Sequence, residues 1–170
     1  YLARAGNDIH TIGGWGYHLG DLGSGARLGQ LALQQSLLAY DGIAASTPFT
    51  RSLLEEFEAS PRRMVAFSQA AKPGDFGRYA PRVFDFASAG DEAALSILHK
   101  SAGFIDVALD RVSEITGGGR LCLLGGLSGL YAPFLSARHK ERLVEPVADA
   151  LSGAIALAKG TFIHQERGVA

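Results

Sequence analysis

GGWGYHLGDLGSG, residues 13–25, runs directly into ARLGQLALQQSLLA, residues 26–39. Six of those thirteen residues are glycine, so the backbone there can approach a ligand closely and reach φ values barred to other residues. Between the glycines stand the aromatic Trp15, the histidine His18 and the carboxylate Asp21. That set suits a polyhydroxylated ligand: an apolar plate takes a CH face and a carboxylate takes hydroxyls. Ser24 then opens a helix, its hydroxyl placed to cap the first turn.

Outward from this loop the chain reads as alternating helix and turn. Residues 1–5 and 9–13 form two short strands, because Gly6-Asn7-Asp8 is hairpin chemistry. Helix one runs from Ser24 to Tyr40 and stops at Asp41-Gly42. Thr47-Pro48 and Ser60-Pro61 each place a capping hydroxyl before a proline, the preferred helix start. Lys72-Pro73-Gly74-Asp75 breaks the helical series, and a helix over Pro81–Ala89 follows. The longest helix spans Glu92 to Ile115, with Leu95, Leu98, Ala102, Ile105, Leu109 and Val112 giving one apolar stripe. Leu121-Cys122-Leu123-Leu124 is a short apolar run that suits a strand buried on both faces, which makes Cys122 an inert core thiol. A second strand is expected near Leu143-Val144, an amphipathic helix over Val147–Ala158, and a loosely held tail after Lys159.

Composition excludes several classes. Sixteen basic against seventeen acidic residues give a net charge of −1, without the basic footprint of a nucleic-acid binder. No apolar stretch has membrane-spanning length, and one cysteine cannot form an intrachain disulfide, so the reducing cytoplasm is the expected compartment. At 47% apolar and 19% charged residues, the chain can bury one proper core. His10 and His18 lie near Asp8 and Asp21 in sequence, but their spacing puts no ligand pair on one helical face, and no metal site is expected.

The loop resembles the sugar-binding loop of N-acetylglucosamine kinases and bacterial glucosamine kinases, within the BadF/BadG/BcrA/BcrD group of the actin-like ATPase superfamily. The likeness extends to DGI at 41–43 with STPFT at 46–50, KPGDFGRYAP at 72–81, AGDEAA at 89–94, RLCLLGGLSG at 120–129 and EPVADALSGAIALA at 145–158. It implies an α/β fold: the second lobe of an actin-like, ribonuclease-H-like ATPase, a mixed sheet covered by helices. Such kinases open with a glycine-rich phosphate loop, carry a catalytic aspartate and have a second phosphate loop before the sugar loop. None of these precedes Gly13 here, so residues 1–170 are expected to be the C-terminal lobe, with no catalytic side chain in this chain.

The resemblance further implies ATP-dependent phosphorylation of glucosamine or N-acetylglucosamine at the 6-hydroxyl, with Mg²⁺ and the phosphates held mainly by the other lobe. Gly13, Gly14, Trp15 and Asp21 would then wall the sugar site; Gly125 and Gly126 would take the adenosine against bare backbone, with Ala87 across the adenine. Each residue also has a plainer reading. Asp21 could cap the following helix, Trp15 could anchor its loop, and Gly125-Gly126 could be a tight strand-to-helix turn without the GxGxxG spacing of a dinucleotide site. Two other functions share the pattern: a non-catalytic sugar-sensing or scaffolding module, and an activator ATPase of a radical dehydratase, which needs cluster-binding cysteines that one core thiol serves poorly. Amino sugar and ATP are the expected ligands, with neither nucleic acid nor membrane. The face around Trp15 and Leu124 is expected to be exposed and to favour a homodimer.

Overall fold

The computed structural model describes residues 1–166, with the backbone alone at 150 and 160–166. Strands β1 (Leu2–Ala5) and β2 (Asp8–Thr11) form an antiparallel hairpin in register Leu2 with Thr11 and Ala5 with Asp8. Nine helices follow among the described residues: α1 (Gly25–Tyr40), α2 (Pro48–Glu56), α3 (Pro61–Ala70), α4 (Pro73–Gly77), α5 (Ala80–Ser88), α6 (Glu92–Thr116), α7 (Ser128–Tyr131), α8 (Ala137–Lys140) and α9 (Ala150–Glu166).

The starts of α1, α2, α3 and α6 follow from side-chain capping. Ser24 accepts from the Arg27 amide, Thr47 and Thr50 form a reciprocal capping box, and Ser60 accepts from the Arg63 amide. Asp91 serves two helices at once. One carboxylate oxygen takes the Ala93 and Ala94 amides at 3.0 and 3.2 Å, capping α6, while the other takes the Phe49 amide in the first turn of α2 at 3.0 Å. A buried carboxylate with three charge-assisted bonds is well compensated, and it fixes α2 against the start of α6.

The core lies where α1 meets α2, α4, α5 and α6, with Leu28, Phe49, Leu53, Met64, Tyr79, Val83, Leu98 and Ala102 enclosed. The buried face of α6 carries Ile97, Leu98, Ser101, Ala102, Ile105, Leu109 and Val112, close to the expected stripe, with Leu95 at its partly buried margin. Gly29 on α1 permits a close approach of α4: a Cβ there would lie 1.9 Å from the Phe76 carbonyl oxygen. The far half of α6 is held by polar contacts. Asp106 takes the amide and hydroxyl of Ser136, and Asp110 takes Arg138 through two bonds of 2.8 and 2.9 Å. The Arg138 guanidinium holds the Asp110 carboxyl below its usual range. His139 is buried beneath them, its Nε2 3.0 Å from Asp110.

Several expectations change. Helix and strand are both present, as expected of an α/β chain, but the mixed sheet is reduced among the described residues to the hairpin and one parallel bridge, Leu121 to Leu143. The run 121–124 is not a strand buried on both faces: Leu121 is buried, Leu123 partly, and Cys122 and Leu124 are exposed. Cys122 is therefore no core thiol. The break at 72–75 is an interruption only, since Asp75 accepts the Lys72 amide and α4 begins at Pro73. α9 continues past Lys159 to Glu166, and its described side chains at 151–159 are exposed, so no face is buried as an amphipathic helix would require. The last part of the expected loose tail, 167–170, lies outside the described residues.

Gly29→Ala should lower stability by about 1–3 kcal/mol, because α4 must move to admit the methyl group. Gly103→Ala, in mid-α6 with open space around its Cβ position, should instead gain about 0.5–1 kcal/mol from unfolded-state entropy and helix propensity. Thermal melts of both variants check the contrast.

Candidate functional site

The glycine loop does not lie flat on the core. Between it, one flank of α6 and the segment 123–128 opens a cleft of about 950 Å³, floored by Tyr1, Ile12 and Tyr131. Gly13, Gly14, Trp15 and Asp21 line one wall, and Gly125 and Gly126 line another. Two stretches more than a hundred residues apart thus face one space. Ala87 does not join them. It is buried on α5 and does not line the cleft.

The loop is shaped by close packing. Gly23 sits at φ +88, and a Cβ there would lie 2.6 Å from Ile105 Cγ1, so only glycine lets the chain cross α6 at this height. Asp21 has φ +53, a left-handed conformation uncommon for a side-chain-bearing residue. Its backbone carbonyl accepts from Ser24, and among the described residues its carboxylate has neither hydrogen-bond nor ion-pair partner. The helix cap is Ser24, so Asp21 is spared that role. Trp15 is 78% exposed and therefore does not anchor the loop. Gly125 (φ +109) and Ser128 close a tight turn into α7, the Gly125 carbonyl accepting both the amide and the hydroxyl of Ser128. No heavy atom stands within 4 Å of a Cβ placed at Gly125 or Gly126, so the turn leaves open space on its cleft side.

The remaining lining is mostly apolar, and its charged members are Asp21 and Arg111. Arg111 donates to Glu114 at 2.8 Å along α6. Phe104, Val107, Ala108 and Arg111 were not singled out from the sequence. They recur at i, i+3, i+4 and i+7, a second face of α6 beside the buried stripe, and that spacing was the signal for them. The exposed rim includes Trp15 and Leu124. His10 and His18 are exposed, and no three His, Cys, Asp or Glu side chains converge to hold a metal ion among the described residues.

With this geometry in place, the comparison with known proteins is direct. The chain is 33% identical over 153 residues to glucosamine kinase GspK of Vibrio cholerae, covering 90% of this chain and 52% of that protein. The chain is similar to about half of an amino-sugar kinase. It is also 30% identical over 109 residues to the N-acetyl-D-glucosamine kinase of Dictyostelium discoideum, 62% of this chain and 34% of that one. Among solved structures, the putative N-acetylglucosamine kinase of Chromobacterium violaceum superposes with a TM-score of 0.75 at 35% identity, over 88% of this chain and 52% of that chain. No protein-family profile matches. No helix among the described residues is long and apolar enough to cross a membrane.

The two roles weighed for Asp21 separate by stability. Ser24→Ala should cost about 1 kcal/mol through loss of the cap, whereas Asp21→Gly should leave stability unchanged or up to about 1 kcal/mol higher, because glycine accepts the left-handed backbone. Chemical denaturation of the two variants checks this.

Proposed function

We propose that this chain is the C-terminal lobe of an ATP-dependent amino-sugar kinase and supplies one wall of its sugar site and the adenosine surface. The observation that carries the reading is the convergence of Trp15, Asp21 and Gly125-Gly126 on one cleft, in a chain similar along nine-tenths of its length to a glucosamine kinase. A left-handed aspartate with an unengaged carboxylate is a strained residue without a packing reason, the kind of position that ligand binding explains. Its carboxylate would accept sugar hydroxyls while the Trp15 ring takes the sugar's CH face.

The bare turn at Gly125-Gly126 would let the adenosine rest on backbone. The acceptor would be the 6-hydroxyl of glucosamine or N-acetylglucosamine, and the donor ATP. In-line transfer requires an orienting base, Mg²⁺ and a phosphate cradle. The described residues include no carboxylate cluster fit to hold Mg²⁺, and we place the base, the metal and the phosphate loops on the other half of a kinase of the relatives' length. Here the residues' work is binding and exclusion of water: the apolar flank formed by Phe104, Val107 and Leu124 would be dried when the other lobe closes on it. Where that lobe does not cover it, the same rim favours self-association, a homodimer face. The compartment consistent with this reading is the cytoplasm, where ATP and a free thiol at Cys122 coexist.

The full-length protein should phosphorylate glucosamine or N-acetylglucosamine with ATP and Mg²⁺; absence of turnover on either would favour a sugar-sensing module. Asp21→Ala should raise the sugar KM about 10- to 150-fold, the equivalent of about 1.5–3 kcal/mol for a charge-assisted contact, with the ATP KM little changed. Gly126→Val should do the reverse. Gly126 lies outside the left-handed region with open space around it, so valine fits the turn and obstructs only what rests on it. Steady-state kinetics with each substrate varied in turn separate the two walls.

A further inference from the structure

Beyond the packing of Gly23 against α6, the loop that forms the sugar wall has few backbone hydrogen bonds to hold it. Among the described residues, its backbone makes two internal hydrogen bonds, Gly20 to Gly16 at 2.7 Å and Ser24 to Asp21 at 2.9 Å. Trp15 and Leu19 project outward, and His18 is exposed. A glycine-rich segment carries a large conformational entropy, and a defined geometry needs an anchor.

Tyr17 is the loop side chain that turns inward. Its ring stacks on Phe76 of α4, with centroids 5.7 Å apart and planes 22° from parallel, and the Arg27 guanidinium of α1 lies 5.8 Å from its centroid. His18 packs edge-on against it at 5.4 Å. Phe76 is fixed in turn: it is buried, meets Phe67 edge-on at 5.7 Å, and its carbonyl occupies the space left by Gly29. The Tyr17 hydroxyl is buried without a hydrogen-bond partner among the described residues, so the contact is made by the ring and not by the oxygen. Burial pushes that hydroxyl's pKa up, with the nearby Arg27 guanidinium acting the other way.

We propose that Tyr17 is the positioning residue of the cleft wall: through its stack on Phe76 and its contact with Arg27, it sets where Trp15, two residues before it, and Asp21, four residues after it, stand. Tyr17 touches no expected ligand position itself and is absent from the cleft lining, so it acts through the loop. The sugar-binding consequence rests on the function proposed above; the ordering of the loop does not.

The test uses Tyr17→Ala and Tyr17→Phe in the full-length protein, read by hydrogen exchange and by kinetics. In Tyr17→Ala, the hydrogen-bonded loop amides of Gly20 and Ser24 should exchange at least about tenfold faster while those of α1 and α6 keep their rates, because a local anchor governs local opening. Tyr17→Phe should match the wild type. The amino-sugar KM of Tyr17→Ala should rise about tenfold or more, with kcat and the ATP KM within about twofold, and Tyr17→Phe should restore it, since only loop geometry is lost.

Unchanged loop exchange in Tyr17→Ala would overturn the proposal. So would equal damage in both variants, which would give the role to the hydroxyl, or faster exchange throughout α1 and α6, which would make Tyr17 a core residue. If the wild-type protein phosphorylates neither amino sugar, the kinase reading fails, and the exchange experiment alone decides the anchor.

Discussion

One contact between helices in this protein is a contact that only a glycine permits. At Gly29 the Phe76 carbonyl of α4 occupies the place of a side chain, so the short helix sits hard against α1. Interiors are close-packed and transmit such constraints with little slack. Phe76 is held in place, Tyr17 stacks on it, and the glycine loop takes its course from Tyr17. Move α4 outward, and the wall carrying Trp15 and Asp21 moves with it.

α6 is the other determinant, and it works on two faces. Asp91 fastens its start to α2, and the Asp106, Asp110 and His139 contacts fasten its far half to α8, so the 25-residue helix is tied down in both halves. One face closes the core. The adjoining flank, Phe104 through Arg111, is left as one wall of the cleft. A functional surface built on a helix locked by the core is more exact than one built on loops alone. The glycine loop and the Gly125 turn supply the facing walls, where a ligand would be received.

Much of this was legible in the sequence because the physics was local. Ser24, Thr47 and Ser60 are capping hydroxyls whose partners lie three residues away, and each makes the expected bond. The hairpin turn, the α6 stripe and the glycine loop are likewise written in short-range chemistry. The failures share the opposite cause. Leu121–Leu124 reads as a buried strand, but a strand needs neighbours on both sides, and among the described residues it has only the bridge to Leu143. Cys122 and Leu124 are exposed as a result. Small size made Ala87 a candidate for an adenine surface, yet small residues equally fit helix crossings, which is where it lies. The apolar residues of α9 are spread around the helix, and their pattern names no single face to bury. That Tyr17 rather than Trp15 anchors the loop depends on Phe76 and Arg27, both remote enough in sequence to leave no signature.

The central claim is that the wall formed by Trp15 and Asp21 receives a sugar while the turn at Gly125-Gly126 receives a nucleotide. A crystal structure of the full-length protein with glucosamine and a non-hydrolysable ATP analogue tests it most directly. The account predicts a sugar hydroxyl within hydrogen-bond distance of the Asp21 carboxylate, the sugar's CH face on Trp15, and the adenosine against Gly125 and Gly126. A sugar bound away from this loop, with Asp21 still turned to solvent, would contradict it.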